Sequence, residues 1–380
     1  MTTLETEWAD YARRLADNLL STGDVCSAAW HEALAEVPRH VLVPRAYRQD
    51  STGKWTPFDT GQELERVYSP ETLITSLAHV EGHESPISSS TKPDLMVRML
   101  ETLDIRYGHR VLEIGTGSGY NAALLAHRLG DDCVFSVDID TELVDRARER
   151  LATAGYRPTL RAVDGETGLV EHAPYDRILA TCSVSAVPWA WAEQLAPEGA
   201  ILVDFKLAVS AGNLVHLRRA DDRLEGRFTH RWAAFMAMRH DEEPEARRSA
   251  SRPTGDRSRS TSTPAQPWNE TPIVWFLAQL RLPRGVVPGL QLHPKTYQPT
   301  AATLSAADGS WAHVSLTDQI VTEAGPSSLW SPVEQAYGWW TATGRPSWER
   351  FGLTVRSDGQ HWLWLDGPDS PQCWQLGVDR

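Results

Sequence analysis

A glycine-rich segment at residues 111–121, Val-Leu-Glu-Ile-Gly-Thr-Gly-Ser-Gly-Tyr-Asn, constrains the fold of this chain more than any other part of the sequence. The apolar residues before the first glycine are typical of a short buried strand, and a helical pattern follows the last glycine. Glycine lets the backbone turn sharply and approach a ligand closely. The start of the helix adds free amide groups at the same place. The segment therefore predicts a ligand-binding turn between a strand and a helix.

Strands and helices alternate beyond this turn. Helical patterns cover residues 121–129 and 141–153, and another helix is expected between the last two strands. Short apolar runs predict strands at residues 111–114, 134–139, 160–163, 177–180 and 200–203. Such alternation is typical of an α/β fold with a mostly parallel, doubly wound sheet. Two helices are expected ahead of it, at residues 8–20 and 27–35.

The length and the local composition predict two domains. A chain of 380 residues exceeds what one hydrophobic core usually serves. We predict a domain at residues 1–240 with amino-terminal helices in 1–60, a flexible linker at 241–267, and a smaller α+β domain at 268–380. Ten of the sixteen tryptophans follow residue 265. They are expected to build the core of this small domain or to line a substrate groove.

Charge and cysteine usage exclude several classes of function. A net charge of −13 argues against a nucleic-acid partner. No apolar run is long enough for a membrane anchor, and acidic residues near the amino terminus speak against a secretory signal. The four cysteines form no metal-ligand spacing, so no metal is expected. Together these features predict a cytoplasmic protein with reduced thiols.

The glycine spacing and three acidic residues predict the cofactor. The spacing is GxGxG and not the GxGxxG of dinucleotide-binding loops, which disfavours a nicotinamide oxidoreductase. Glu113 lies beside the turn and suits a positively charged ligand. Asp138 ends the second strand, where a carboxylate can bind ribose hydroxyls, and Asp164 ends the third, where it can accept from an adenine amino group. We therefore predict S-adenosylmethionine as the cofactor. The predicted binding residues are Glu113, Gly115, Thr116, Gly117, Ser118, Gly119, Asn121, Asp138, Ile139, Asp164 and Gly165.

Several motifs carry a family resemblance. They are VPRH at residues 37–40, VP at 43–44, the glycine segment, VDG at 163–165, and the runs APYDRILAT and EQLAPEGAILV. Over about residues 25–205 the chain resembles protein-L-isoaspartate O-methyltransferases. The resemblance implies a Rossmann-like class I methyltransferase fold and conversion of S-adenosylmethionine to S-adenosylhomocysteine. It also implies transfer of the methyl group to a carboxylate.

The same resemblance points to the acceptor site. In that family an Ile-Ser-Gln-Pro stretch supplies a hydroxyl to the acceptor carboxylate. The matching stretch here runs from Ser88 to Pro93, and Thr91 takes the serine position when the prolines are aligned without a gap. Ser88 or Ser90 takes that position if the stretch is longer. A carboxylate is ionised at neutral pH, with a pKa of about 4, so no general base is required.

The chain extends beyond residue 206, a region that the repair enzymes of the resembled family are expected to lack. This arrangement resembles variants associated with ribosomally made lanthipeptides, graspetides and lasso peptides, which methylate an aspartate and lead to aspartimide or isoaspartate. A modified, macrocyclised precursor peptide is therefore the expected partner, and a monomer is the expected state. The alternatives are a general isoaspartyl repair methyltransferase and a peptide-binding protein without turnover.

Overall fold

The computed structural model describes residues 3–80, 83–240, 257–293 and 295–377. Its amino-terminal part combines five helices with a four-stranded antiparallel sheet of order β2-β1-β3-β4. The helices are α1 (Thr3–Ser21), α2 (Ala28–Glu36), α3 (Arg39–Leu42), α4 (Leu64–Val67) and α5 (Pro93–Thr102). The strands are β1 (Arg45–Gln49), β2 (Trp55–Asp59), β3 (Leu73–Val80) and β4 (His83–Ser90). The sequence predicted α1 and α2 but none of these four strands.

A parallel sheet forms the centre of the protein, as predicted. Its strands are β5 (Val111–Ile114), β6 (Val134–Asp138), β7 (Thr159–Ala162), β8 (Tyr175–Val184) and β9 (Leu195–Ala208). The helices between them are α6 (Tyr120–Leu129), α7 (Thr141–Thr153) and α8 (Trp189–Glu193). Helix α7 begins at residue 141 because the Asp140 side chain accepts a hydrogen bond from the Leu143 amide at 3.0 Å and so caps the helix.

The central sheet continues into the carboxyl-terminal region, so it has ten strands in the order β19-β18-β17-β11-β10-β9-β8-β5-β6-β7. The added strands are antiparallel: β10 (Ala211–Ala220), β11 (Arg223–Phe228), β17 (Phe351–Arg356), β18 (His361–Leu365) and β19 (Cys373–Leu376). Strand β17 pairs directly with β11, with Leu224 opposite Val355. One hydrophobic core contains residues of both regions, such as Phe205 and Phe276.

The remaining strands form a separate five-stranded sheet of order β12-β16-β15-β14-β13. They are β12 (Arg257–Ser260), β13 (Val287–Leu292), β14 (Pro299–Ser305), β15 (Trp311–Ser315) and β16 (Ile320–Ala324), and the helices are α9 (Pro267–Glu270), α10 (Pro272–Ala278) and α11 (Ser331–Ala342). Strands β14 and β15 pair as one antiparallel hairpin, and β17 and β18 pair as another.

The domain boundaries stay a prediction. Most of the predicted linker lies outside the described residues, but β12 falls inside it and pairs with β16. The pairing of β11 with β17 carries the central sheet across the predicted boundary. Within the described part of the chain, no helix is both long and apolar enough to cross a membrane.

The late tryptophans belong to the core. All ten that follow residue 265 are buried or half-buried, and Trp275 and Trp330 are fully buried. None of them lines the cavity described below, whereas Trp189 and Trp232 do. The structure therefore favours a role in the hydrophobic core over a role in lining a substrate groove.

Candidate functional site

A cavity of about 1360 Å³ lies where the carboxyl ends of β5, β6, β8 and β9 meet. Ligands bind at this edge in open α/β sheets. We call its two parts the glycine-loop half and the serine-strand half. The glycine-loop half is lined from residues 113–121, 137–139 and 165–166. The serine-strand half is lined from residues 87–92, 183–190, 206–210 and 232–236, and also by Gly359 and His361.

The glycine loop has the conformation that its sequence predicts. Gly115 has a φ of 102°, and a Cβ atom there would lie 2.6 Å from Thr181 Oγ1. The Thr181 hydroxyl donates to the Gly115 carbonyl at 2.7 Å. The amides of Gly115 and Thr116 both donate to the Val137 carbonyl, at 2.8 and 3.0 Å. A side chain at residue 115 would therefore displace the loop from β8.

Glu113 lies under this loop and is 1% exposed. Its carboxylate accepts from Asn121 Nδ2 at 2.7 Å and from Ser136 Oγ at 2.6 Å. Burial raises the pKa of Glu113 to about 7, although these two hydrogen bonds act in the opposite direction. A positively charged ligand beside it would favour the ionised carboxylate.

Asp138 stands at the end of β6 and lines the glycine-loop half. Its carboxylate accepts from the Gly117 amide at 3.0 Å and from the Asp140 amide at 3.4 Å. The side chain thus holds the loop and also presents a carboxylate to the cavity, as the predicted ribose contact requires.

Asp164 and Gly119 are the two predicted cofactor residues that do not line the cavity. Asp164 accepts from the Glu166 amide at 2.9 Å and contacts His240 Nδ1 at 2.9 Å, whereas the neighbouring Gly165 and Glu166 line the cavity. Gly119 has a φ of 84° and precedes α6 as its cap. The predicted contact between adenine and Asp164 stays a prediction, as do the other assigned contacts.

The residues of the glycine-loop half fit S-adenosylmethionine. At Gly115 and Gly117 a ligand can approach the backbone closely. Glu113 and Asp138 provide carboxylates. Asn121 Oδ1 is buried without a hydrogen-bond partner among the described residues. This set can accept hydrogen bonds from hydroxyl and amino groups and can stabilise a positive charge. Thr116, Ser118 and Ile139 complete the lining that the sequence predicted.

The predicted acceptor residues lie together at the end of β4. Ser88, Ser90 and Thr91 all line the serine-strand half. The Thr75 hydroxyl donates to Ser88 Oγ at 3.0 Å, whereas Ser90 Oγ is buried and has no partner in the described part of the chain. The Ser89 carbonyl lies 3.8 Å from where a Cβ atom on Gly117 would be. We call residues 88–91 the serine strand, and this segment packs against the glycine loop.

The VPRH motif explains how this strand is held. The fully buried guanidinium of Arg39 donates to the carbonyls of Ser90 at 3.4 Å and Thr91 at 3.2 Å. It also donates to the carbonyl of Val67 at 2.8 Å and that of Glu71 at 3.0 Å. Arg39 thus positions the serine strand, a role that the sequence pattern alone did not indicate.

A buried ion pair in the serine-strand half was also missed by the sequence analysis. Asp204 Oδ2 lies 3.0 Å from Lys206 Nζ and accepts from the Phe235 amide at 2.7 Å. The Lys206 ammonium in turn donates to the Phe235 carbonyl. The pair therefore fixes residues 233–238, which cross over the end of β8 and pair with Ser183.

One side chain of the carboxyl-terminal region reaches this half. His361 on β18 is buried, and its Nε2 accepts from the Val187 amide at 2.9 Å. Its Nδ1 lies 2.9 Å from the Gly359 carbonyl, so this bonding pattern assigns the ring proton to Nδ1. Burial lowers the pKa of His361, which favours this neutral form. The histidine thereby fixes the wall at residues 183–190.

The sequence profile of the family described as protein-L-isoaspartate(D-aspartate) O-methyltransferase (PCMT) matches residues 11–231. A curated protein-L-isoaspartate O-methyltransferase of Aeropyrum pernix is 36% identical over 193 residues, which are 50% of this chain and 65% of that protein. The protein of the same name from Methanopyrus kandleri is 36% identical over 193 residues, or 50% of this chain and 74% of its own length.

A solved structure titled protein-L-isoaspartate O-methyltransferase resembles almost the whole chain. The TM-score is 0.55 at 21% identity, over 93% of this chain and 99% of the other. This match confirms the fold class predicted from the sequence. Since 93% of the chain includes most of the region beyond residue 206, the expectation that relatives of this name lack such a region is wrong for this structure.

Proposed function

The chain belongs to the protein-L-isoaspartate(D-aspartate) O-methyltransferase family and uses S-adenosylmethionine, and from this premise we propose that it methylates the free carboxylate of L-isoaspartyl residues in peptides or proteins. One observation carries the proposal. The hydroxyl-bearing segment at residues 88–91 packs against the glycine loop within one cavity. This arrangement brings donors for a carboxylate next to the site that fits the cofactor.

The protein's part in the reaction is to orient the acceptor. S-adenosylmethionine, when bound, supplies an electrophilic methyl carbon and leaves as S-adenosylhomocysteine. An acceptor carboxylate with a pKa of about 4 is already a nucleophile at neutral pH, so no residue needs to remove a proton. Hydroxyls of Ser88 and Thr91 can donate to one carboxylate oxygen while the other stays free. Holding that oxygen in line with the methyl carbon supplies the rate enhancement.

Methyl transfer to a defined peptide tests this proposal. The protein is incubated with methyl-labelled S-adenosylmethionine and a peptide that carries one L-isoaspartyl residue, and the ester is detected by mass spectrometry. The control peptide has the same sequence with L-aspartate. We expect the ester on the isoaspartyl peptide, whereas an ester on the aspartyl peptide alone would contradict the proposal.

A second candidate substrate is an aspartate side chain in a ribosomally made, macrocyclised peptide, whose ester would close to an aspartimide. The supporting observation is the rim of the cavity. Three exposed apolar side chains, Val209, Trp232 and Met236, line it. They suit a large constrained peptide as partner of a monomeric enzyme.

This second candidate predicts a preference for the cyclised peptide over its linear precursor. A linear peptide loses roughly 1–2 kcal/mol of backbone entropy for each residue ordered on binding, and cyclisation removes much of that loss. The measurement compares ester and aspartimide formation on the two forms by mass spectrometry. Equal modification of both forms, or a faster reaction on the isoaspartyl peptide, would favour the first proposal.

A further inference from the structure

Lys206 occupies a specific place in the serine-strand half. It lies on β9 directly after the last residues that pair with β8, where Ser183 is opposite Asp204 and Val184 is opposite Phe205. Parallel pairing ends there, so the side chain stands at the carboxyl edge of the sheet, at which the cavity opens. The Lys206 side chain is only 13% exposed.

The Lys206 ammonium group has more N–H donors than acceptors among the described residues. It carries three N–H groups, and the described residues give it two acceptors, Asp204 Oδ2 and the Phe235 carbonyl. Asp204 is fully buried and holds the lysine by an ion pair. The third N–H group therefore remains available to a ligand, on a side chain whose position is fixed in advance.

The acidic lining of the cavity explains why an anionic acceptor needs a cationic partner there. Four acidic side chains line it: Glu113, Asp138, Glu166 and Glu193. An anionic acceptor that leaves water needs a charged or hydrogen-bonding partner to offset its desolvation. Lys92, Lys206 and Arg239 line the cavity as cationic side chains, together with His240. The Lys92 ammonium is already paired with Asp94 at 2.9 Å, on a side chain that is 42% exposed. Of the two lysines, Lys206 is the more enclosed.

We propose that Lys206 binds the acceptor carboxylate of the substrate and that Asp204 is the positioning residue for Lys206. This inference rests on the proposed function and names the group that selects a carboxylate there. One N–H group bonded to one oxygen leaves the other oxygen free to react. An acceptor without negative charge loses this charge-assisted hydrogen bond, so Lys206 makes the site selective for acids over amides.

The test measures that selectivity and not activity alone. Two peptides are compared, one with L-isoaspartate and one with its isosteric amide, isoasparagine. Their dissociation constants are measured by calorimetry with S-adenosylhomocysteine present. We expect the parent protein to bind the acid at least about tenfold more tightly than the amide, the effect typical of one hydrogen bond to a charged group.

Variants assign that preference to the lysine. Lys206→Gln keeps a donor for the Phe235 carbonyl but removes the charge, and it should abolish most of the acid preference. Lys206→Arg should retain part of it, and Lys54→Gln, at an exposed residue that does not line the cavity, should leave it unchanged. Affinity for S-adenosylhomocysteine should stay within about twofold of the parent for all three variants, since one factor of two is below 0.5 kcal/mol.

Three outcomes would overturn the inference. The first is a parent protein that binds the acid and the amide alike, which needs no variant to interpret. The second is a Lys206→Gln protein that keeps the acid preference. The third is an equal loss of affinity for both peptides, which would assign Lys206 a structural role only. Failure of the proposed function is a different result, because the parent protein would then form no ester on the isoaspartyl peptide at all.

Discussion

The charge state of a single residue, Glu113, depends on its burial. Its carboxylate is enclosed under the glycine loop, with Ser136 and Asn121 as donors, and burial raises its pKa to about 7. At neutral pH the group is therefore near half protonation before a ligand binds. A cationic ligand favours the ionised form, so binding lowers this pKa and releases a proton.

Cofactor binding should therefore tighten as pH rises through the pKa of Glu113. Between pH 5.5 and 7.5 we expect the dissociation constant of S-adenosylmethionine to fall about threefold to tenfold, because each unit of pKa shift corresponds to about 1.4 kcal/mol. Glu113→Gln should remove this dependence. Calorimetry across that pH range measures it, and identical pH profiles for the parent and the Gln variant would contradict the assigned role.

The hydroxyls of the serine strand are expected to orient the acceptor carboxylate. Thr91→Ala should lower kcat for the isoaspartyl peptide by at least about tenfold while the affinity for S-adenosylmethionine holds, because only the reacting geometry is disturbed. Ser88→Ala and Ser90→Ala are the matched comparisons. Full activity of Thr91→Ala with loss of activity in Ser88→Ala would show that the stretch carries an insertion relative to the family.

At the scale of elements, the carboxyl-terminal strand β18 supports the wall of the cavity through His361. His361→Leu leaves the Val187 amide without its acceptor, so we expect a higher KM for the peptide and an unchanged affinity for the cofactor. His361→Gln offers an oxygen in place of Nε2 and should recover part of the loss. Steady-state kinetics measures both, and parent-like KM values for the Leu variant would show that the wall does not depend on β18.

Local sequence patterns predicted the parallel part of the sheet, but they did not predict the elements that complete the candidate site. Helix α7 has the predicted bounds because its apolar spacing and its Asp140 cap are both local signals. Strand β4 was missed because its eight residues include Pro86, four serines and one histidine in place of an apolar alternation. The roles of Arg39, Lys206 and His361 depend on which elements, distant in sequence, are adjacent in the fold. The local sequence around each residue does not indicate this.

At the scale of the whole molecule, one core joins the two predicted domains. Phe276 on α10 is fully buried, and its ring centroid lies 5.6 Å from that of Phe228 and 6.5 Å from that of Phe205 on the central sheet. Trp348 packs on Phe276 at 5.4 Å. The late tryptophans and the parallel sheet therefore share packing that neither region provides alone.

This shared core predicts one cooperative unfolding transition. Phe276→Ala should lower the free energy of unfolding by about 3–5 kcal/mol, the usual loss for a buried phenylalanine. Tyr297→Ala, at a side chain that is 75% exposed, should change it by less than about 0.5 kcal/mol. Urea unfolding followed by tryptophan fluorescence measures both variants. Two separate transitions, with cofactor binding retained after the first, would instead support two independent domains.

We propose that this fold presents a substrate carboxylate to S-adenosylmethionine for methyl transfer. The most direct test is a single-turnover experiment with the parent protein, methyl-labelled S-adenosylmethionine and the L-isoaspartyl peptide, with the product mapped by tandem mass spectrometry. We predict one labelled methyl ester on the isoaspartyl carboxylate and one equivalent of S-adenosylhomocysteine. A label on nitrogen or on a hydroxyl, or bound peptide and cofactor with no transfer, would contradict the account.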